Sequence, residues 1–285
     1  MSEIEKKVLF FLHIPKTAGT TMNDLIRSNF GKANIVHLSK PYKHREELSD
    51  AWKRKHGARV VSGHFPFGIH SCIDINPTYF SVIRHPYQRV FSYYRYIQNT
   101  PTHYYHSTLK SLNYNFEEFL ADPGSPEVRN QQVRLLSGCI AGQHETTDEI
   151  YQIALENIEH DYVLLGLQEK FDETLVLLKI LLKLNDVRYY PKNVNNSSRG
   201  YQPNKREKEL LDETNYYDIL LYKHAEKFFL KLLEQHRSDV EFELQKLLSA
   251  KQSKLYAVYN GFHSIIDTPR RHMTKYLKNL VNKAH

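Results

Sequence analysis

The sequence predicts an α/β protein with a central parallel β-sheet flanked by helices, and its apolar runs are the main reason. Residues 8–12, 79–83 and 162–167 are short runs of branched and aromatic side chains, a length and composition typical of buried strands. Runs that are apolar throughout indicate parallel strands that are covered on both faces. Each run is followed by a segment with helical spacing of its apolar residues, and such alternation is expected of βαβ units.

The length and charge of the chain limit its class and its partners. Its 285 residues suit one large α/β domain or two small ones, and 41% are hydrophobic, which excludes global disorder. The net charge of +7 favours anionic partners such as a nucleotide or a sulfated glycan. Because the basic residues are dispersed along the chain, we expect no nucleic-acid partner.

The cysteines and the first residues indicate the cellular setting. Cys72 and Cys139 cannot form a disulfide framework, and no C-x-x-C pair occurs. Residues 1–8 are mostly polar, and the apolar run that follows is far too short for a signal peptide or a membrane span. We therefore expect a soluble cytoplasmic protein without a transmembrane segment, most simply a bacterial one.

A turn with one lysine and several hydroxyls follows the first predicted strand. Helical spacing begins at Met22, so the turn joins a strand to a helix N-terminus, where backbone N–H groups face an anion. The lysine adds a mobile positive charge, and the threonines add hydroxyl donors. The turn is therefore predicted to bind a phosphate. Its candidate ligands are Lys16, Thr17, Ala18, Gly19, Thr20 and Thr21.

The order of residues in this turn differs from that of the usual nucleotide-binding loop. A Walker A motif is G-x-x-x-x-G-K-[ST], with the lysine directly after a glycine. In this chain Lys16 precedes Gly19, and no glycine stands at the required position upstream. The turn thus belongs to another class of phosphate loop, unless it is a strand-to-helix connection without a ligand.

A second group of anion-binding residue types follows the strand predicted over residues 79–83. Arg84 stands at the strand end, where its guanidinium offers a rigid fork for a phosphate. Pro86 fits the first turn of the next helix, in which Arg89 and Ser92 share a face.

Among the 16 histidines, His64 is the first candidate for a catalytic base. It follows Gly63 at the end of a short predicted strand, and ligands of open α/β sheets bind beyond the carboxyl ends of strands. A histidine with an ordinary pKa of ~6.5 can take a proton from a hydroxyl at neutral pH. His70 is the main rival for this role. His13 is less suitable because it lies close to the strand core, and His85 is less suitable because it adjoins the predicted phosphate-binding residues.

These segments resemble the signatures of sulfotransferases that use 3′-phosphoadenosine 5′-phosphosulfate (PAPS) as the sulfuryl donor. The run Pro15-Lys-Thr-Ala-Gly-Thr-Thr is similar to the loop that binds the 5′-phosphosulfate in that family. The pattern R-x-P-x-x-R-x-x-S-x-Y, which starts here at Arg84, is similar to the segment that binds the 3′-phosphate. The resemblance ranks Arg84 and Ser92 above Arg89 as ligands, because the second arginine of this motif more often packs or pairs within the protein. Gly63-His64-Phe65 resembles the segment with the catalytic histidine in the heparan/uronyl 2-O-sulfotransferase branch.

The resemblance implies the sulfotransferase fold, with a P-loop-like central sheet, and a PAPS-dependent O-sulfotransferase activity. PAPS would be a co-substrate, held by the Lys16 turn, Arg84 and Ser92, and no metal is implied. A loop over residues 193–200 is similar to one that covers the 3′-phosphate and adenine in the family, which makes Arg199 a further contact. The implied acceptor is a hydroxyl, most simply of a carbohydrate, with His64 as general base and Lys16 stabilising the leaving group.

Two other functional classes stay open at this point. A nucleotide or small-molecule kinase would need ATP and Mg²⁺, although no carboxylate cluster stands beside the turn to hold the metal. A non-catalytic protein that binds glycans or anions would keep the fold without transferring a group. The second group of predicted phosphate-binding residues favours the sulfotransferase, since ATP has no 3′-phosphate to bind.

The remainder of the chain is predicted to be mainly structural. Residues 99–127 look like a long loop and form a candidate acceptor region, whereas residues 205–248 are strongly helical. We expect a single domain over residues 1–248 and a basic helical extension over residues 249–285. The sequence defines neither the role of this extension nor the oligomeric state.

Overall fold

The computed structural model describes residues 7–39, 44–55, 57–122, 124–139, 146–189 and 201–252. Arg199, with the predicted loop around it, and the chain from residue 253 onward lie outside these described residues. The chain divides into two compact units, residues 1–240 and 241–285. In the second unit residues 241–252 are described, and they are helical. The boundary that the sequence places after residue 248 stays a prediction.

A five-stranded sheet forms the centre of the first unit, and all its strand pairs are parallel. Its order across the sheet is β2-β3-β1-β4-β5. Most side chains of the strands are buried, so the sheet is covered on both faces, as apolar strands require. The strands are β1 (Val8–Leu12), β2 (Ile35–Leu38), β3 (Val60–Gly63), β4 (Pro77–Ile83) and β5 (Tyr162–Leu167).

Helices flank the sheet and make up the described C-terminal part, which confirms the predicted fold class. The helices before β5 are α1 (Gly19–Phe30), α2 (His44–Arg54), α3 (Pro86–Gln98), α4 (His106–Ser111), α5 (Phe116–Ala121), α6 (Gln131–Ser137) and α7 (Asp148–Asp161). Those after β5 are α8 (Phe171–Leu182), α9 (Lys205–Thr214), α10 (Tyr216–Gln235) and α11 (Arg237–Gln252).

The strand order creates a crevice between β1 and β4. From β1 the chain continues to β2 on one side, and from β4 it continues to β5 on the other side. Ligands of open parallel sheets bind beyond the carboxyl ends of the strands at such a reversal. The register aligns Leu12 with Gly63 of β3 and with Ser81 of β4, so the segments after these strands emerge at one edge.

The prediction of one long loop over residues 99–127 is wrong, because α4 and α5 lie within it. The Asn115 side chain accepts a hydrogen bond from the Glu118 N–H, and the Glu118 carboxylate accepts one from the Asn115 N–H. This reciprocal pair is a capping box that starts α5. Phe116 and Phe119 recur at helical spacing and are buried with Tyr94, so packing completes the helix.

Two helix N-termini cap each other in the interior of the first unit. Asn130 Oδ1 accepts hydrogen bonds from the N–H groups of Tyr217 and Asp218 in α10, at 3.0 and 3.1 Å. In return the Asp218 carboxylate accepts hydrogen bonds from the N–H groups of Gln132 and Val133 in α6, at 3.2 and 2.9 Å. The two caps fix the N-terminus of α6 against that of α10.

We expect Asp218→Ala to lower the free energy of unfolding by about 3–5 kcal/mol. Asp218 is fully buried and attracts the buried Arg89 guanidinium, so the change removes the counter-charge of Arg89 as well as the acceptor of two N–H groups. Denaturant unfolding measures the loss. The matched control is Asp74→Ala, which removes an exposed carboxylate and should change stability by less than about 0.5 kcal/mol. Equal stability of the two variants would contradict this role of Asp218.

Candidate active site

The turn between β1 and α1 has an unusual backbone conformation. Lys16 and Ala18 have positive φ angles of 71° and 68°. This left-handed region costs a residue with a Cβ atom about 1–2 kcal/mol. The hydroxyl of buried Thr17 donates a hydrogen bond to Ile14 O at 2.7 Å and closes the turn. Because such strain persists where the fold over-determines the backbone, it is concentrated at ligand sites.

The same turn sets the N-terminus of α1. This helix begins at Gly19 rather than at Met22 as the apolar spacing predicts, because the left-handed Ala18 turns the chain directly into it. Ala18 has no side chain that could cap the helix, so the first N–H groups of α1 are left for another acceptor. Thr20 is exposed at this end, whereas Thr21 is buried against the fold. The Thr17 hydroxyl already bonds within the turn, which leaves its N–H as the group able to face an anion.

Arg84 is brought to this turn from the end of β4. Its guanidinium Nη1 donates a hydrogen bond to Lys16 O at 3.4 Å. Its backbone is held from the other side by Gln132, whose Oε1 accepts from Arg84 N and whose Nε2 donates to Arg84 O, both at 2.9 Å. Gln132 is fully buried in α6. The two segments predicted to bind phosphate therefore meet in one crevice.

The electrostatics of this crevice favour an anion. Burial lowers the pKa of Lys16, and the positive charge of Arg84 lowers it further. Two cations that disfavour each other's charge are both stabilised when a negative group lies between them. The strained turn, the free end of α1 and these two side chains together form a site of the chemistry that a phosphate or phosphosulfate requires.

His64 lies directly after β3, on the other side of β1. Its Nδ1 is 2.7 Å from His13 O, and since a carbonyl oxygen can only accept, Nδ1 carries the proton. Neutral His64 therefore presents the lone pair of Nε2, which is the form of a general base. The residue keeps some solvent-accessible surface although protein surrounds it, and its ring lies 4.1 Å from the His13 ring, measured between centroids. Desolvation by the surrounding protein lowers the pKa of His64, although the His13 carbonyl raises it.

The competing histidines occupy other environments. His70 bonds to Tyr79 and packs on Phe10. His13 stacks on Phe11, and neighbouring residues of a strand point to opposite faces of the sheet, so the two histidines lie on different faces. Burial, the neighbouring His64 and other positive groups lower the pKa of His13 to about 2, so this ring stays neutral and is a very weak base.

His85 lies beside the predicted phosphate-binding residue Arg84, but its ring points away from the Lys16 turn. The ring packs edge-on against Tyr87 and Tyr222, with centroid distances of 4.9 and 5.2 Å. Burial lowers the pKa of His85, whereas nearby Glu169 raises it. Its surroundings are therefore those of a packed aromatic residue between α3 and α10.

The arginine and serine of the predicted 3′-phosphate segment have different surroundings. Arg89 is fully buried, and its guanidinium donates to Gln131 Oε1 at 2.7 Å and to Glu127 O at 2.9 Å. Ser92 is half-buried on α3. Arg199 lies outside the described residues, so its predicted contact stays a prediction.

Gln132 is a residue of the site that the sequence did not single out. In the run from Asn130 to Gly138, Arg134 is by residue type the more obvious ligand. Arg134 is buried and donates to Pro126 O, whereas Gln132 positions Arg84. The amide of a buried glutamine can hydrogen-bond to both the N–H and the C=O of one residue. Which residue it bonds to is decided by the tertiary packing.

The described part of the chain contains no cluster of His, Cys, Asp or Glu side chains suited to hold a metal ion. None of the helices described here combines the length and the apolar character that crossing a bilayer would require.

We expect Gly19→Ala to destabilise the fold by about 1–3 kcal/mol, as overpacked sites do. A Cβ atom at this position would lie 1.6 Å from His13 Nε2, so the His13 ring would have to move. Thermal and denaturant unfolding measure the cost. In a His13→Ala background, where the ring is absent, the same glycine substitution should cost much less. An equal cost in both backgrounds would show that the close approach to His13 is not what requires the glycine.

Comparison with solved structures finds a mouse sulfotransferase, SULT7A1, in complex with PAP. The two chains share 13% sequence identity with a TM-score of 0.37, and the match covers 73% of this chain and 64% of that chain. This chain thus matches less than two thirds of the length of that structure. No curated protein is significantly similar to the chain in sequence.

A family model matches nearly the whole chain. The model is that of galactose-3-O-sulfotransferases, and it matches residues 2–271, which include the Lys16 turn, His64 and Arg84. The sequence resemblance to carbohydrate sulfotransferases is thereby confirmed, with the galactose 3-O family rather than the heparan/uronyl 2-O branch as the one that matches. The chain belongs to the galactose-3-O-sulfotransferase family.

Proposed function

We propose that this protein is a PAPS-dependent O-sulfotransferase that transfers a sulfuryl group to a carbohydrate hydroxyl by in-line displacement. The observation that carries the proposal is the contact between Arg84 Nη1 and Lys16 O, which unites two anion-binding segments at the ends of neighbouring strands. PAPS carries phosphate groups at both ends of its ribose. One crevice with two cationic segments matches a donor of that kind better than it matches ATP.

In this proposal the Lys16 turn binds the phosphosulfate end of the donor. The N–H groups at the start of α1 and the hydroxyl of exposed Thr20 donate hydrogen bonds to it. Lys16 balances the charge that develops on the departing phosphate, a preorganised electrostatic contribution. Arg84 binds the 3′-phosphate, with Ser92 and Arg199 as the further predicted contacts.

His64 is the proposed general base. The oxygen of the acceptor hydroxyl forms a bond to sulfur while the bond between sulfur and the phosphate oxygen of the donor breaks, and the hydroxyl proton passes to His64 Nε2. The hydrogen bond from Nδ1 to His13 O supports this role, because it leaves Nε2 without a proton. The lowered pKa keeps the ring in its basic form at pH 7.

The acceptor is the part of the proposal that rests on the family. Its name favours the 3-hydroxyl of a galactose residue in a glycan, and residues 10–95, the diagnostic part of the sequence resemblance, do not themselves define a sugar. A cytoplasmic, bacterial setting is a prediction from the sequence and is not required by the proposed reaction.

Transfer of labelled sulfate from PAPS to a panel of glycans tests the function. We expect labelling of galactose-terminated glycans, while polysaccharides that contain uronic acid test the 2-O alternative. Arg84→Ala should raise the Kd of adenosine 3′,5′-bisphosphate, the desulfated product, about 10- to 100-fold, since a charge-assisted contact contributes about 1.5–3 kcal/mol. Arg27→Ala, which removes an exposed arginine from α1, is the matched control and should leave the Kd unchanged.

Two results would contradict the proposal. Phosphate transfer from ATP with Mg²⁺, together with no transfer from PAPS, would identify a kinase. Binding of the bisphosphate without labelling of any acceptor would identify a protein that binds its ligand without catalysis.

The role of His64 predicts a specific pattern of kinetics. We expect His64→Asn to reduce kcat about 10²- to 10⁴-fold with little change in donor binding, because the amide can still donate to His13 O but offers no basic Nε2. In the unaltered protein kcat/KM should rise with pH as His64 loses its proton, and the lowered pKa places this rise below pH 6.5. His70→Asn is the control. Loss of activity in that variant, with His64→Asn active, would reassign the base.

A further inference from the structure

Lys16 does not extend freely into the crevice, because its ammonium lies against an aromatic ring. Lys16 Nζ is 4.4 Å from the ring centroid of Tyr96 in α3, within the range of a cation–π contact. Tyr96 is 42% exposed, so it contributes little to the core. The helix that carries it begins two residues after Arg84, which connects the ring to both cations of the site.

The Tyr96 ring is itself held in place. His103 packs edge-on against it, with an interplanar angle of 86° and 5.7 Å between the centroids. Tyr105 N–H donates to His103 Nδ1 at 3.2 Å, so the proton of neutral His103 lies on Nε2, which faces the Tyr93 hydroxyl at 3.1 Å. An exposed ring supported in this way is preorganised rather than adaptable.

The charges around Lys16 explain what a fixed ring contributes. Among the described residues, Arg84 is the charged group that acts on the pKa of Lys16, and its charge is positive. Lysine has a flexible side chain, and repulsion from Arg84 favours positions away from the crevice. The negative face of the Tyr96 ring supplies a local attraction that opposes this repulsion.

We propose that Tyr96 is a positioning residue that holds the Lys16 ammonium over the turn for the donor. The proposal rests on the proposed function of Lys16 in donor binding. Tyr96 acts through Lys16 and needs no contact with the reacting atoms. The ring lowers the entropic cost of ordering the lysine when the donor binds, which is the general benefit of preorganisation.

A double-mutant cycle on the binding of adenosine 3′,5′-bisphosphate tests the proposal by calorimetry. Tyr96→Leu removes the π face and should raise the Kd roughly 3- to 10-fold. Tyr96→Phe keeps the face and should restore binding to near that of the unaltered protein. In a Lys16→Met background, Tyr96→Leu should have no further effect. Tyr216→Leu is the matched control, since Tyr216 is 53% exposed on α10, and it should leave the Kd unchanged.

A second measurement separates failure of this proposal from failure of the proposed function. NMR titration of Lys16 needs neither donor nor activity, and the pKa of Lys16 should be lower in Tyr96→Leu than in the unaltered protein or in Tyr96→Phe. An equal pKa in all three proteins would overturn the proposal, even if PAPS is the donor. A lowered pKa in a protein that binds no bisphosphate would contradict the proposed function instead.

The strongest rival explanation is that the exposed ring stacks on the acceptor sugar. In that case Tyr96→Leu would raise the KM of the acceptor and leave bisphosphate binding unchanged, and this outcome would overturn the proposal. Tyr96→Gln serves the same cycle if the leucine variant aggregates, because it also removes the π face. An effect of Tyr96→Leu that persists in full in the Lys16→Met background would show that the tyrosine acts independently of the lysine.

Discussion

The parallel pairing of β1 with both β3 and β4 is the constraint on which the candidate site depends. Leu12 is level with Gly63 on one side and with Ser81 on the other. The buried Ser81 hydroxyl donates a hydrogen bond to Leu12 O at 2.7 Å, and His13 N–H donates one to Gly63 O at 2.9 Å. These hydrogen bonds fix the register of the three strands. A slip of one residue would turn every side chain of the strand to the opposite face, which the apolar packing forbids. Three loops with different chemistry therefore leave the sheet together.

Residues far along the chain support the part of the site that is proposed to bind an anion. Asp218 in α10 caps α6, and Gln132 in α6 holds both backbone polar groups of Arg84. Arg84 in turn reaches the Lys16 carbonyl. Each step is a hydrogen bond of a buried or largely buried group, and loss of such bonds is costly because water cannot replace them. The long helix α10 thereby stabilises a residue that precedes it by more than a hundred positions.

The charges of the site are divided between its two ends. Lys16 and Arg84 lie at the end proposed for the donor, and their mutual repulsion makes an anion favourable there. His13 and His64 directly follow β1 and β3, where desolvation lowers the pKa of both rings and favours their neutral forms. Anion binding and proton acceptance need opposite electrostatic conditions. The fold brings the residues proposed for these two roles to the ends of neighbouring strands.

Much of this protein can be predicted from local signals in the sequence. The apolar runs locate the strands, and the run after β1 has the proline, lysine and glycine of a phosphate turn, since strand burial and turn geometry depend on neighbouring residues. The helix α5 was missed although its capping box and its phenylalanines are also local, because the aromatic and polar residues around it resemble a loop. What the tertiary structure alone decided are the partners across the chain: Gln132 on Arg84, Tyr96 on Lys16 and the orientation of His64 by His13 O. These contacts depend on how the strands and helices pack, and no spacing within the sequence encodes them.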